Sequence, residues 1–379
     1  MKQRVWLRLG LGSVVATSLL AAGVLTACGD DDSGTTPLPD GGDVDVVQPT
    51  TDSEAPDSGP TDAPAKITLV HASADLGPDN PSGRVYVCFA TAPAGQTDFS
   101  VAPLPPLPDT ATGLPAGAGG YQPSSTGTLL EGLVIQPYLI NGDNLTEITD
   151  GGARPTCQQL LGSTGSGGTL TENVGYWKLA QIPAGTLKNN HSYLIAVTGC
   201  PQNTVIPDAE EESKAKCGAD FDTTGDREAP GLGNLKAAVF ELDLGASVGA
   251  TDTAAQVLHL SPSLPFPAVA PVVSDADGGA VRPLVADGTL AELGASAPTP
   301  LHTVTGGFEA GDLLGASALT PVENRFPLSV VSQLSGGTQF TDGRAYVFAF
   351  VGEFGRPLMD KDGNIDLKAM HPVAFPTNP

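Results

Sequence analysis

The chain has 379 residues, a formal charge of −24 and a sequence pI near 4.3, which excludes a protein that holds nucleic acid or an anionic lipid surface by charge. Its 47 Gly, 34 Pro and only 16 % charged residues exclude long helices, while 40 % apolar content is enough for a core. Short strands joined by long loops, in one or two domains, fit these bounds.

Lys2, Arg4 and Arg8 form a positive start, and Leu9 to Leu25 carries no charge. This is the pattern of a secretory signal peptide. A transmembrane helix is the competing reading, but the apolar stretch is short for a span and holds Gly10, Gly12, Ser13 and Gly23. It is also followed by Asp30, Asp31 and Asp32, where positive charge would be expected to stop transfer. Leu25-Thr26-Ala27-Cys28 closes the leader and resembles the lipobox of bacterial lipoproteins. The resemblance implies cleavage before Cys28 and acylation of Cys28. Each buried CH₂ of the acyl chains contributes about 0.8 kcal/mol, so several chains together hold a soluble body on a bilayer. By the same resemblance, Gly29 is not the Asp of the enteric inner-membrane retention rule. The expected address is therefore the cell envelope, with the outer membrane favoured, on its periplasmic or surface face. Loss of the leader, which holds three basic residues and no acid, takes the net charge from −24 to −27.

Residues 28–65 follow as the anchor and a linker. Gly29 to Ala65 contains ten acidic residues, no Lys or Arg, and many Pro, Gly, Ser and Thr. It cannot bury enough apolar surface to fold, and as a coil it would span roughly 30–40 Å. Strands are expected from Lys66 (Ile67, Leu69 and His71 alternating with Thr68, Val70 and Ala72), over Arg84 to Phe89, within Leu130 to Ile140, over Tyr193 to Thr198, and over Leu235 to Leu244. Ala90 to Gly175 is rich in Pro and Gly and reads as a long insertion, and Pro207 to Cys217 as a short acidic surface helix.

The sequence then repeats itself. Leu69 to Ser73 (LVHAS) is echoed by Val257 to Ser261 (VLHLS), which sets His71 opposite His259. Ser192 to Gly199 (SYLIAVTG) is echoed by Ala345 to Gly352 (AYVFAFVG), and Gly233 to Ala237 (GNLKA) by Gly363 to Ala369 (GNIDLKA). Three echoes in one order indicate two copies of one domain, over 66–248 and 254–379, with the long insertion in the first. A His closing an early strand and followed by Ser, with a late apolar strand of the form YxxxAxxG, resembles the domain-of-unknown-function 4397 family. Copy two carries the fuller His259 to Pro262 form, while copy one has Ala74 in place of the Pro. The resemblance implies an all-β chain of two tandem immunoglobulin-like β-sandwich domains, and it brings no catalytic residues.

Cys88, Cys157, Cys200 and Cys217 all fall in copy one, an even number in an exported chain, and four cysteines allow three pairings. Cys200 and Cys217 flank one local excursion, so they are the favoured pair, which leaves Cys88 with Cys157. Free buried thiols are the alternative, and CxxC-type zinc spacing is absent. Copy two would have to hold itself by packing alone.

His71, Ser73 and Asp75 invite a catalytic triad. Alternation points them to one side of a strand without making them converge, no GxSxG elbow occurs, and Ser263 stands in copy two where copy one has Asp75. The expectation for His71 and His259 is a structural role. His191, His302 and His371 lack ligand spacing. Asp360, Asp362, Asn364 and Asp366 resemble the first half of a calcium loop, with an oxygen side chain at every second residue. The closing Glu is missing, and Asp-Gly and Gly-Asn are also hairpin residues, so an ordinary turn is favoured and no cofactor is expected. Asp275-Ala276-Asp277-Gly278 is a weaker version. Tyr121, Tyr138, Tyr176 and Trp177 would form a sugar or peptide platform if exposed and core if buried, and burial is favoured. The expectation is a lipid-anchored envelope protein with a non-enzymatic binding or structural role. Its partners would be the membrane through the anchor and a polysaccharide or envelope protein, with no nucleic acid. An envelope hydrolase with its site in the copy-one insertion is the alternative.

Overall fold

The computed structural model describes residues 62–377 apart from internal stretches, the longest of which are 205–215, 262–270, 287–297, 316–324 and 353–368. The leader, Cys28 and the acidic linker up to residue 61 lie outside the described residues, as do Asp360, Asp362, Asn364, Asp366 and most of the acidic 207–217 segment. The chain is an all-β sandwich fold. Among the described residues no helix is long and apolar enough to cross a membrane.

The expected first strand is β1 (Lys66–His71). It lies between β4 (Gly120–Ser125), antiparallel to it, and β7 (Ser192–Thr198), parallel to it; β8 (Lys236–Leu242) completes a sheet of order β4-β1-β7-β8. A second sheet of order β3-β2-β5-β6 joins β2 (Val85–Pro93), β3 (Ser100–Val101), β5 (Leu133–Asn141) and β6 (Tyr176–Lys178). The 90–175 stretch is therefore no appended lobe. It supplies β4 at the edge of the first sheet, β3 and β5 of the second, and two short helices, α1 (Gly142–Ile148) and α2 (Cys157–Leu161). Its Pro and Gly residues fall in the connections, which hide a regular sheet from a reading of composition. Between the two layers lies a core that includes Ile67, Leu69, Val85, Val87, Ile135, Leu139, Trp177, Tyr193 and Ile195.

The second half repeats the plan. β9 (Thr253–His259), β12 (His302–Val304), β15 (Ala345–Val351) and β16 (His371–Pro376) form a sheet of order β12-β9-β15-β16, with β9 parallel to β15 and the other pairs antiparallel. Its outer layer is β11-β10-β13-β14, made of β10 (Val272–Ser274), β11 (Val281–Pro283), β13 (Leu313–Gly315) and β14 (Phe326–Pro327), beside helix α3 (Leu328–Leu334). Phe308, Phe340, Tyr346 and Phe348 pack against one another in this core, with ring centroids 5.1–6.1 Å apart. Full burial of a ring such as Phe348 contributes about 2 kcal/mol.

Strand register makes the correspondence exact to the residue. His71 stands opposite Val197 in the β1/β7 pair, and His259 opposite Phe350 in the β9/β15 pair. Tyr193 Oη accepts from Lys188 N at 2.9 Å and Tyr346 Oη from Thr341 N at 2.7 Å, each reaching five residues back. Immunoglobulin-type sandwiches use a similar tyrosine device at a corner. The third echo is offset: Lys236 stands opposite Thr198, and the residue opposite Val351 is His371, three positions beyond Lys368. A third core joins the halves. It includes Val70, Leu194, Ala196 and Phe240 of one sheet and Leu258, Val347, Ala349 and Phe375 of the other. Copy two is thus not held by its own packing alone, and Gly59–Pro379 is one compact unit.

Candidate functional site

The residues that suggested a triad are each engaged elsewhere. His71 is buried, and its Nε2–H donates to Gly83 O at 3.0 Å. The Ser73 hydroxyl lies 2.5 Å from Gly199 O and 2.9 Å from Asp75 O, so its proton is committed to backbone carbonyls. The Asp75 carboxylate accepts from Gly77 N at 2.9 Å and pairs with Lys216. Copy two repeats the serine contact, since Ser261 Oγ donates to Gly352 O at 2.5 Å. Gly199 and Gly352 have φ of 85° and 88°, a turn that brings each carbonyl to its serine and that only glycine adopts without strain. A Cβ on Gly199 would also come within 2.3 Å of Asn234 O. These serines are latches between the end of β1 or β9 and the end of β7 or β15.

Both histidines are held neutral. Burial pushes His71 down to about 4 against the opposing bond to Gly83, and burial alone pushes His259 to about 4. His259 Nδ1 accepts from Ser261 N at 3.0 Å, which places its proton on Nε2, the same tautomer as His71. His371 is buried, and its Nδ1–H donates to Ala369 O at 2.7 Å. His302 opens β12 opposite Ala255.

The disulfides are Cys88–Cys157 and Cys200–Cys217. The first ties β2 to α2, whose start is fixed by a capping box of Thr156 and Gln159. Tyr138, Tyr176 and Trp177 are buried and belong to the core, so they offer no platform. Burial raises the Tyr138 phenol to about 12. The side chain of Tyr121 lies outside the described residues. At the 275–278 turn, Asp277 Oδ1 accepts from Gly279 N and Asp275 Oδ2 from Ala280 N, and no metal-holding cluster occurs among the described residues.

A different place brings ionisable groups together around a recess. The chain approaches β1 through a strap: Ala63 N donates to Asn190 Oδ1 at 2.9 Å, Asn190 N to Ala63 O at 2.8 Å, and Lys66 N to His191 O at 2.9 Å. Asn190 takes φ of 63°, a conformation Asn tolerates better than most residues. Next to the strap, His191 Nδ1 lies 2.7 Å from Glu241 Oε1, and Lys188 Nζ lies 3.3 Å from Glu241 Oε2. Burial pushes the Glu241 carboxyl up, but the bonds and charges of Lys188 and His191 outweigh it and leave it below the usual range. A cleft of about 260 Å³ opens here, lined by Ala63, Pro64, Lys66, Asn190, His191, Ser192 and Leu244. The Lys66 ammonium and the Asn190 amide beside Pro64 and Leu244 suit a ligand with oxygen acceptors and an apolar edge. This cluster was not legible in the sequence, because His191 and Glu241 are 50 residues apart and meet only through the β7/β8 register.

No family model matches the chain, and no curated protein matches it.

Proposed function

We propose that this chain is a lipid-anchored protein of the cell envelope with a non-enzymatic binding or structural role. Cys28 is its acylated residue, and the outer membrane is its favoured address. The observation that supports this reading is the junction. The acidic stretch after Cys28 ends at a compact β unit whose first described residues are hydrogen-bonded to Asn190 and His191, which suits a body carried on a tether. The cleft beside the strap is the proposed contact point for an envelope polysaccharide or protein, with Lys66 and Asn190 as donors and His191, turned to Glu241, in its wall. Membership of both halves in the domain-of-unknown-function 4397 family is part of the same proposal. It draws support from the matched His71 and His259 and from the matched Ser73 and Ser261 latches.

The anchor is tested by acylation. Radiolabelled palmitate should enter the full chain and be lost in Cys28→Ser, and globomycin should leave a larger precursor. Unchanged labelling or size overturns the anchor. The binding role is tested by capture of envelope extracts on the 62–379 unit. Saturable retention of a glycan or protein that Lys66→Ala and His191→Ala weaken supports it. Turnover of an esterase, glycosidase or peptidase substrate by the same unit overturns the non-enzymatic reading in favour of an envelope hydrolase.

A further inference from the structure

We infer that the two halves of this chain are a fused homotypic pair, in which one self-complementary sheet face is docked on its own duplicate, so that neither half is a free-standing domain. The first ground is burial. In a two-layer sandwich each strand presents alternate residues to the core and to solvent. β1, β7, β9 and β15 have no exposed residue at all. Both faces of these four central strands are therefore covered, while β8 and β12 at the sheet margins keep exposed residues. In β7, Tyr193, Ile195 and Val197 face the outer layer of their own half, while Leu194 and Ala196 face the other half. In β15, Tyr346, Phe348 and Phe350 face their own outer layer, while Val347, Ala349 and Val351 face back.

The second ground is the identity of the positions. The register that pairs His71 with Val197 and His259 with Phe350 makes Leu194 equivalent to Val347 and Ala196 equivalent to Ala349. The β7/β8 and β15/β16 registers make Phe240 equivalent to Phe375. All six belong to the shared core. The same patch thus meets itself, which is the signature of an isologous contact between two copies. The small alanines flanked by larger side chains allow two such faces to approach closely. A polar tie closes the margin: Asp243 N, just after β8, donates to Gln256 Oε1 of β9 at 2.8 Å, and Gln256 Nε2 donates to Thr299 O at 3.1 Å. The connection is packed against this joint as well, because a Cβ on Gly245 would lie 2.6 Å from Ala345 Cβ. The occupant of each inner face is the other copy.

The test uses the full chain with a site-specific protease sequence inserted between Gly249 and Ala250, both exposed. After cleavage under native conditions the fragments should elute together as one 1:1 species and unfold in a single transition. Fragments that elute apart while each keeps its β-sheet signal would overturn the inference. A second measurement needs no insertion. Native-state hydrogen exchange on the uncut chain should give the slowest amides of β7 and β15 the same opening free energy and the same denaturant dependence. Distinct values for the two strands would overturn it independently.

Discussion

Lowering the pH from 7 to 5 should destabilise this protein through two buried histidines. His71 and His259 are buried and neutral, each pushed by its surroundings to about 4, against an ordinary value of 6.5 in the unfolded chain. A histidine whose folded value is depressed contributes fully above its unfolded value. Its contribution falls as the pH drops below 6.5, because only the unfolded state takes up the proton, and the loss ends near the folded value. At pH 5 each histidine accounts for roughly 1.5 pH units of unmatched protonation, or about 2 kcal/mol, and the pair for about 4 kcal/mol. Against a total stability of roughly 5–15 kcal/mol, a loss of that size is visible. The carboxylates act lower: Asp220 and Glu241 are both held below their usual range by their partners, so their contribution is lost only as the pH falls through the acid range. Urea midpoints at pH 7, 6 and 5 should fall progressively, and His259→Gln should flatten the profile by about half while lowering stability at pH 7. Equal midpoints at pH 7 and 5, or an unchanged slope in the variant, would refute the reasoning.

Ser73→Ala and Ser261→Ala each leave a buried glycine carbonyl without its hydroxyl partner and should each cost about 1–3 kcal/mol in thermal or urea unfolding, with no detectable loss counting against the latch. Removing Cys88–Cys157, with its sequence separation of 69, should cost about 4 kcal/mol, and removing Cys200–Cys217, with a separation of 17, about 3 kcal/mol. Paired Cys→Ser variants compared by urea midpoint check the order, and a costlier short loop would contradict the loop-closure account. EDTA should leave the melting temperature unchanged if Asp360, Asp362, Asn364 and Asp366 form a turn, whereas a drop restored by calcium would make them a cation site.

Local pattern and covalent chemistry were legible in the sequence. The apolar runs around Tyr193 and Tyr346 determined the inner strands, because continuous runs of that kind persist only where both faces are covered. The even count of cysteines, with one pair flanking a single excursion, pointed to the two disulfides that form. The echo of His71 by His259 located the repeat to the residue, because equivalent strands keep equivalent burial. What required the tertiary structure was every feature that depends on which strand lies beside which. The Pro- and Gly-rich 90–175 stretch reads as an insertion, since breakers dominate its composition, yet its strands pair with β1 and β2 and build a layer. The cluster of Lys188, His191 and Glu241 arises from an antiparallel register that no spacing records. The docking of the two halves could not be read from either copy, because a strand buried on both faces says that a second layer exists and not where it comes from. In this fold that layer is the chain's own repeat, which presents the same apolar face at equivalent positions.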